Sequence, residues 1–266
     1  MLRLKRLLSI TPRSFNARNL LIEEEKLYPK IPLHNPYQWT STRFLDIYQM
    51  GNKAAIEKER ARLKDEMSRG YFADMSEMKK NGGKIAMANK IIIPAVAAVK
   101  FPTLEVNYSD GSSLKLPITS DVNASKSDIP KASLLCLSFR ASSQPMVDSW
   151  SSPFLNTFGH SSNVRLYEVS FIDSWLLTRS PIKKLLLKIM KKPKPGEKQD
   201  ILQRQIVYSF GDHYYFRKEL QILNLLTGYI FLLDKLGRIR WQGFGLATED
   251  ELSSLLSCTS LLLDEE

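Results

Sequence analysis

The chain has 266 residues, 43% of them hydrophobic, and a formal net charge of +10. That supports one sizeable core with appended segments, or at most two small domains. It excludes a bilayer-spanning helix, since no stretch reaches the ~18–20 apolar residues a span requires, and the chain reads as soluble or peripheral.

The charge is unevenly placed. The first 22 residues hold five basic side chains (Arg3, Lys5, Arg6, Arg13, Arg18) and no acid, leaving 33 basic against 28 acidic residues elsewhere. Leu4, Leu7 and Leu8 share a helical face among those charges, the composition of a mitochondrial presequence, here residues 1–30. The plainer alternative is an ordinary basic terminus. The mild excess that remains permits attraction to an acidic surface or anionic lipid without demanding nucleic acid. Cys136 and Cys258 form no CxxC pair. His34, His160 and His213 are too scattered for a metal cluster. No metal or other cofactor is expected.

Residues 31–90 read as an extended arm and charged helices. Pro29, Pro32 and Pro36 forbid a helix between Leu27 and Trp39. A helix capped by Ser41 or Thr42 runs to about Arg69, and its dense mixed charge suggests a solvated arm. A short helix over Asp74 to Lys80 follows.

Residues 91–266 read as the main domain. Leu104 to Tyr108 and Leu114 to Leu116 alternate around Asp110-Gly111, a hairpin signal. Ala132 to Phe139 is a short apolar run with polar flanks, a buried strand. Cys136 within it reads as a small buried hydrophobe rather than a reactive thiol. A helix over Met146 to Phe158, interrupted by Pro153, leads to a strand over Val164 to Ile172. A helical region begins at Trp175 to Thr178. Ser180 to Lys192 forms a basic amphipathic helix in an insertion at 180–200. Ile182, Leu185, Leu186 and Ile189 share one side, and Lys183, Lys184, Lys188, Lys191 and Lys192 occupy much of the remainder. These lysines fit an anionic membrane surface or a partner helix; the plain alternative is a core-packed helix with a solvated lysine face. Ile206 to Phe210 is a strand and Tyr214 to Leu226 a helix. The close is Tyr229 to Leu233, a turn over Asp234 to Gly237, and a strand with Ile239 and Trp241 on one face. Gly243 and Gly245 break that strand. Thr248 and Glu251 then make a capping box for a helix carrying Leu252, Leu255 and Leu256.

No nucleotide-binding loop, zinc-protease signature or serine-hydrolase elbow is present, and no Ser/His/Asp trio can be proposed from spacing alone. The order of elements from Leu104 resembles the thioredoxin-like superfamily, especially its peroxiredoxin-like branch. That implies an α/β fold: a central mixed sheet flanked by helices, with an extended N-terminal segment and charged helix. The segment Arg140 to Trp150, which should carry the attacking cysteine, holds Ser142, Ser143 and Met146 instead. Thr227-Gly228 stands where such folds usually place a proline. A thiolate is the nucleophile in that chemistry, and neither serine nor thioether replaces it.

Three stretches carry a closer resemblance: FRASSQPMVDSW, LYEVSFIDSWL and YYFRKELQILNLLTGYIFLLDKLGRIRWQGFGLATEDEL. With the leader, they resemble the mitochondrial ATP synthase assembly-factor family over roughly Ile93 to Leu256. That resemblance implies a non-enzymatic chaperone on the matrix side of the inner membrane. Its partner would be newly made subunit 6 (subunit a), and no catalytic residue is carried over. Two other function classes remain open at this point: a thioredoxin-like mitochondrial thiol oxidoreductase, and a mitochondrial RNA-binding or translation factor. Nucleic acid is not expected as a partner of the chaperone.

Overall fold

The computed structural model describes residues 53–68, 71–80, 83–119, 129–173, 180–190 and 204–265, all within the compact unit Ser41–Glu266. The stretches expected to form a presequence, a proline-rich arm, the start of the charged helix and the onset of helix at Trp175, together with Lys191 and Lys192, lie outside these residues.

Among the described residues seven strands form one sheet. In chain order they are β1 (Leu104–Asn107), β2 (Ser113–Leu116), β3 (Ala132–Ser138), β4 (Val164–Ile172), β5 (Arg204–Phe210), β6 (Tyr229–Asp234) and β7 (Ile239–Phe244), and the spatial order is β2-β1-β5-β4-β3-β6-β7. The strands β3, β4 and β5 are mutually parallel, while β6 runs antiparallel to β3 and β7 antiparallel to β6. A β-α-β unit thus abuts a β-β-α unit through β3 and β6, which is the thioredoxin-like arrangement. Strand β5 and the β1–β2 hairpin extend it on the β4 side. Every residue of β3 is buried, as expected of a central parallel strand covered on both faces.

Between the strands lie α3 (Gln144–Phe158), α4 (Ser180–Met190) and α5 (Tyr214–Glu219), and α6 (Glu249–Asp264) closes the chain; α1 (Lys53–Ser68) and α2 (Tyr71–Lys80) precede the sheet. One face packs against α3 and α6, with Val147, Trp150, Phe154, Leu255, Cys258 and Leu262 meeting Leu134, Cys136, Ile230 and Trp241. The other face gathers Phe101, Leu135, Leu137, Phe171, Phe231 and Ile239, with Phe216 and Leu220 packed against it. The capping box forms as expected: Glu251 N–H donates to Thr248 Oγ1, and Thr248 N–H donates to Glu251 Oε2. Glu251 is also buried, paired with Lys84 and accepting from Ala88 N–H at 3.1 Å.

Four local expectations are corrected. Helix α3 passes through Pro153 without a break. Proline forfeits one backbone bond, while buried Trp150 and Phe154 hold the turns on either side. Helix α5 stops at Glu219 rather than Leu226, because Gln221 takes a left-handed conformation at φ 55 and the Ile222 N–H turns back to Arg217 O at 2.7 Å. Asn224 in the following loop donates to Asp74 O and Glu77 on α2, at 3.1 and 3.0 Å, so Leu223 points outward.

The third correction concerns β7. Leu232 pairs with Trp241 but Leu233 pairs with Ile239, so Arg240 is an extra residue in a bulge. Ile239 and Trp241 therefore enter opposite faces of the sheet, not one face. Arg240, expected outside, is only 1% exposed. Nor does Gly243 end the strand. A Cβ there would stand 2.7 Å from the Trp241 ring and 3.2 Å from Trp150, so glycine makes room for the two indoles.

The fourth concerns the charged helix. Much of α1 is exposed, yet it is docked along one stripe. Arg62 is buried against Asp212, Tyr214 Oη donates to Asp65 at 2.6 Å, and Arg217 reaches Glu66 at 3.0 Å. The chain from Lys84 onward then runs beside β7. Asn89 N–H donates to Gln242 O at 2.9 Å, Ile93 N–H to Arg240 O at 2.7 Å, and Ile239 N–H to Val99 O at 2.8 Å. This run covers the edge of β7, the usual remedy for an exposed strand edge.

Candidate functional site

In a thioredoxin-like sheet the chemistry sits where the first central strand runs into its helix, facing the loop before the penultimate strand. Here those two segments do meet. The turn Ala141–Ser143 and the start of α3 bring Ser143, Met146 and Val147 against Gly228. The Gly228 Cβ position lies 3.4 Å from Met146 Cβ and from Val147 Cγ2, and 3.7 Å from Ser143 O. Thr227 Oγ1 donates to Met146 Sδ at 3.8 Å. The Ser143 hydroxyl donates to Arg140 O at 2.7 Å, closing its own turn. The place of a thiol site is therefore occupied by a thioether, a threonine and a serine already engaged locally.

The two cysteines lie elsewhere and both are free and buried. Burial, with the Glu168 carboxylate second, pushes the Cys136 thiol well above its ordinary range; burial also raises that of Cys258. Reactivity requires thiolate and access. We expect neither thiol to label within minutes near neutral pH in folded protein, and both to label promptly in denaturant. Fast labelling of either in the folded state would restore the oxidoreductase reading.

The structure also assembles a trio that spacing alone did not reveal. Asp173, just past β4, lies 2.8 Å from His213 Nδ1, and His213 Nε2 lies 2.8 Å from Ser209 Oγ on β5. The distances are those of a hydrolase triad. The Ser209 hydroxyl also reaches Glu105 O at 2.9 Å, so the carbonyl and, in one imidazole tautomer, His213 Nε2 both lie within reach of its single proton. Ser209 and His213 are both buried, and Phe171 packs edge-on against the imidazole at 4.7 Å. The trio ties the ends of β4 and β5 to the start of α5 and to β1. Its sequence signal is weak, because its members come from a strand, a loop and a helix start.

The basic helix α4 exposes part of its apolar side. Only Leu187 is fully buried among its described side chains, at 5%, whereas Ile182 is 37% and Leu185 58% exposed. The Lys183 ammonium lies over the Phe210 ring at 4.8 Å, and Lys188 is exposed. Lys184 lies on the same helix; Lys191 and Lys192 fall beyond its described end. Ile182 and Leu185 thus face outward, while Leu186 is half-buried. Among the described residues no helix is long and apolar enough to cross a membrane, and no cluster of His, Cys, Asp or Glu is placed to hold a metal.

Solved structures with similar backbones include three thiol-fold proteins. The thioredoxin domain of a thiol-disulfide oxidoreductase from Bacteroides vulgatus is 16% identical, with a TM-score of 0.38 over 60% of this chain and 95% of its own. BsSco, a member of the Sco family of cytochrome c oxidase assembly proteins, is 13% identical, with a TM-score of 0.40 over 65% of this chain and 99% of its own. A peroxiredoxin-like protein from Aquifex aeolicus is 12% identical, with a TM-score of 0.39 over 65% of this chain and 99% of its own. The fold assignment rests on the strand order described above. No curated protein sequence matches the chain. The family model described as ATP10 protein matches residues 13–262, nearly the whole chain. The chain therefore belongs to the ATP10 family, with a role in ATP synthase assembly.

Proposed function

We propose that this ATP synthase assembly factor is a non-enzymatic chaperone of newly made subunit 6 (subunit a), peripheral to the inner mitochondrial membrane on its matrix side. The observation that carries the reading is the occupied thiol site: Ser143, Met146, Thr227 and Gly228 fill the position where related folds place a reactive cysteine, and Cys136 and Cys258 are buried elsewhere. A scaffold without an accessible thiol is suited to holding a client rather than turning one over by thiol chemistry. A membrane subunit synthesised ahead of its partner helices exposes apolar surface that must be shielded.

The test is chemical crosslinking in mitochondria during labelled translation. Subunit 6 is expected to be captured with this chain in preference to other mitochondrial products. Capture of other products without subunit 6 would remove the client assignment while leaving the assembly role intact.

A further inference from the structure

The segment that covers β7 does not follow the strand evenly. Ile93 N–H donates to Arg240 O, and Val99 O accepts from Ile239 N–H, so two residues well apart on the cover meet adjacent residues on the strand. The residues between them, 94–98, therefore loop out from the sheet edge. Val96, at the tip, is fully exposed, and Val99 is 70% exposed. Every side chain over residues 91–99 is apolar, whereas surface loops are ordinarily polar. The loop is also tied in place. Ala97 N–H closes a turn on Pro94 O at 3.0 Å, Arg238 donates to Ala95 O at 3.1 Å, and Pro94 has no N–H to satisfy. Part of its backbone polarity is thus already met, as entry into an apolar medium requires. Charge stands around the loop and not within it. Lys90 and Lys100 bracket the apolar run, and Lys235 lies on the β6–β7 turn that the Lys100–Arg238 bridge brings alongside; all three are exposed. Among the described acids of this edge, Asp234 is buried against Arg238 and Arg240, Glu265 is held by Arg240, and Asp264 is exposed at the end of α6.

We infer that this loop is an anchor for an anionic phospholipid surface, with Val96 and Val99 entering the acyl boundary and the three lysines meeting the phosphates. Shape and charge select this occupant. A convex apolar tip can enter a bilayer, whereas an apolar helix of a client docks in a groove. A second copy of the chain, packed loop to loop, would set the same lysines against each other. Two valines insert little area, so the cations are needed as well. The inference rests on the peripheral placement proposed above, but it concerns lipid and not the client.

The test is co-sedimentation of the full chain with vesicles of phosphatidylcholine alone, and with a fifth of the lipid replaced by cardiolipin or phosphatidylglycerol. Binding is expected to the anionic vesicles and is expected to weaken as salt is raised. Val96→Ser with Val99→Ser alters only exposed side chains and should weaken it roughly tenfold or more, from the apolar area withdrawn. Lys90→Gln, Lys100→Gln and Lys235→Gln together should also weaken it roughly tenfold or more. Leu223→Ser, at an exposed leucine after α5, should leave it unchanged. A polarity-sensitive dye on Val96→Cys should shift to the blue when vesicles bind; Cys136 and Cys258 are buried and stay unlabelled. The inference is overturned by a dye that stays in water, by a valine variant that binds like the native chain, by an equal loss in Leu223→Ser, or by a native chain that ignores anionic vesicles at low salt. If the valine variant binds vesicles normally but no longer captures subunit 6, the loop belongs to the client. If it binds them normally and turns a dimer into a monomer, the loop joins two copies. Failure of capture by the native chain, with vesicle binding intact, counts only against the client assignment.

Discussion

Replacing Arg240 with alanine is expected to cost about 3–4 kcal/mol of folding stability, the range for breaking a buried ion network from one side. The bulge turns this guanidinium inward. Its Nε donates to Ile93 O at 2.6 Å, Nη1 and Nη2 each reach Glu265 at 2.6 Å, and Asp234 lies 3.6 Å away. One side chain therefore joins the covering segment, the end of α6 and the β6–β7 turn. Glu265 is half exposed and can resolvate after the change. Asp234 is buried and keeps Arg238, but the Ile93 carbonyl and the space left by the stem have no replacement. The Arg240 hydrogen bonds hold the Glu265 carboxyl below its usual range. Urea unfolding measures the loss. Arg238→Ala, at a more exposed position, should cost about 1 kcal/mol or less. If the two variants were equal, the inward network would contribute nothing beyond a surface pair.

Gly243 should be the least tolerant glycine in the last hairpin. Gly243→Ala is expected to cost about 2 kcal/mol and Gly243→Val about 3 kcal/mol or more, as overpacked cores do. The new Cβ would stand 2.7 Å from one Trp241 ring carbon and 2.9 Å from another. Neither indole can yield freely. The rings meet edge-on at 5.5 Å, Trp150 Nε1 donates to Gly245 O at 2.7 Å, and Trp241 Nε1 donates to Asn89 O at 2.7 Å. Thermal unfolding with near-ultraviolet circular dichroism reads both the stability and the indole environment. A neutral Gly243→Ala would mean the rings move aside without loss, contrary to the packing described.

The sequence was most readable where one local signal decides the outcome. The apolar run of β3, the Asp110-Gly111 hairpin and the Thr248–Glu251 capping box all form from neighbours in the chain. What escaped depends on partners far away. The alternation in Arg238 to Trp241 reads as a regular strand, and only pairing with β6 reveals the extra residue. The Leu220 to Leu226 run looks helical until Asn224 is drawn to α2. The stripe on α4 marks an apolar face but not which way that face turns, because Leu187, outside the stripe, is the residue that is buried. Of the candidate site, the loss of the thiol was legible from Ser142, Ser143, Met146 and Gly228. The contact between Met146 and Thr227 was not, since no spacing rule joins residues 81 apart.

The cover along β7 sets an order of events. Lys84 and Glu251 are 167 residues apart, and the bonds from Asn89, Ile93 and Val99 reach almost as far. An amino-terminal segment made early thus waits for the last strand and helix to be made before it has anywhere to lie. Closing so long a loop is slow. Until the carboxyl-terminal hairpin is delivered, Ile93 and Val99 have no strand beside them, and any chain ending before Ile239 would keep that seam open.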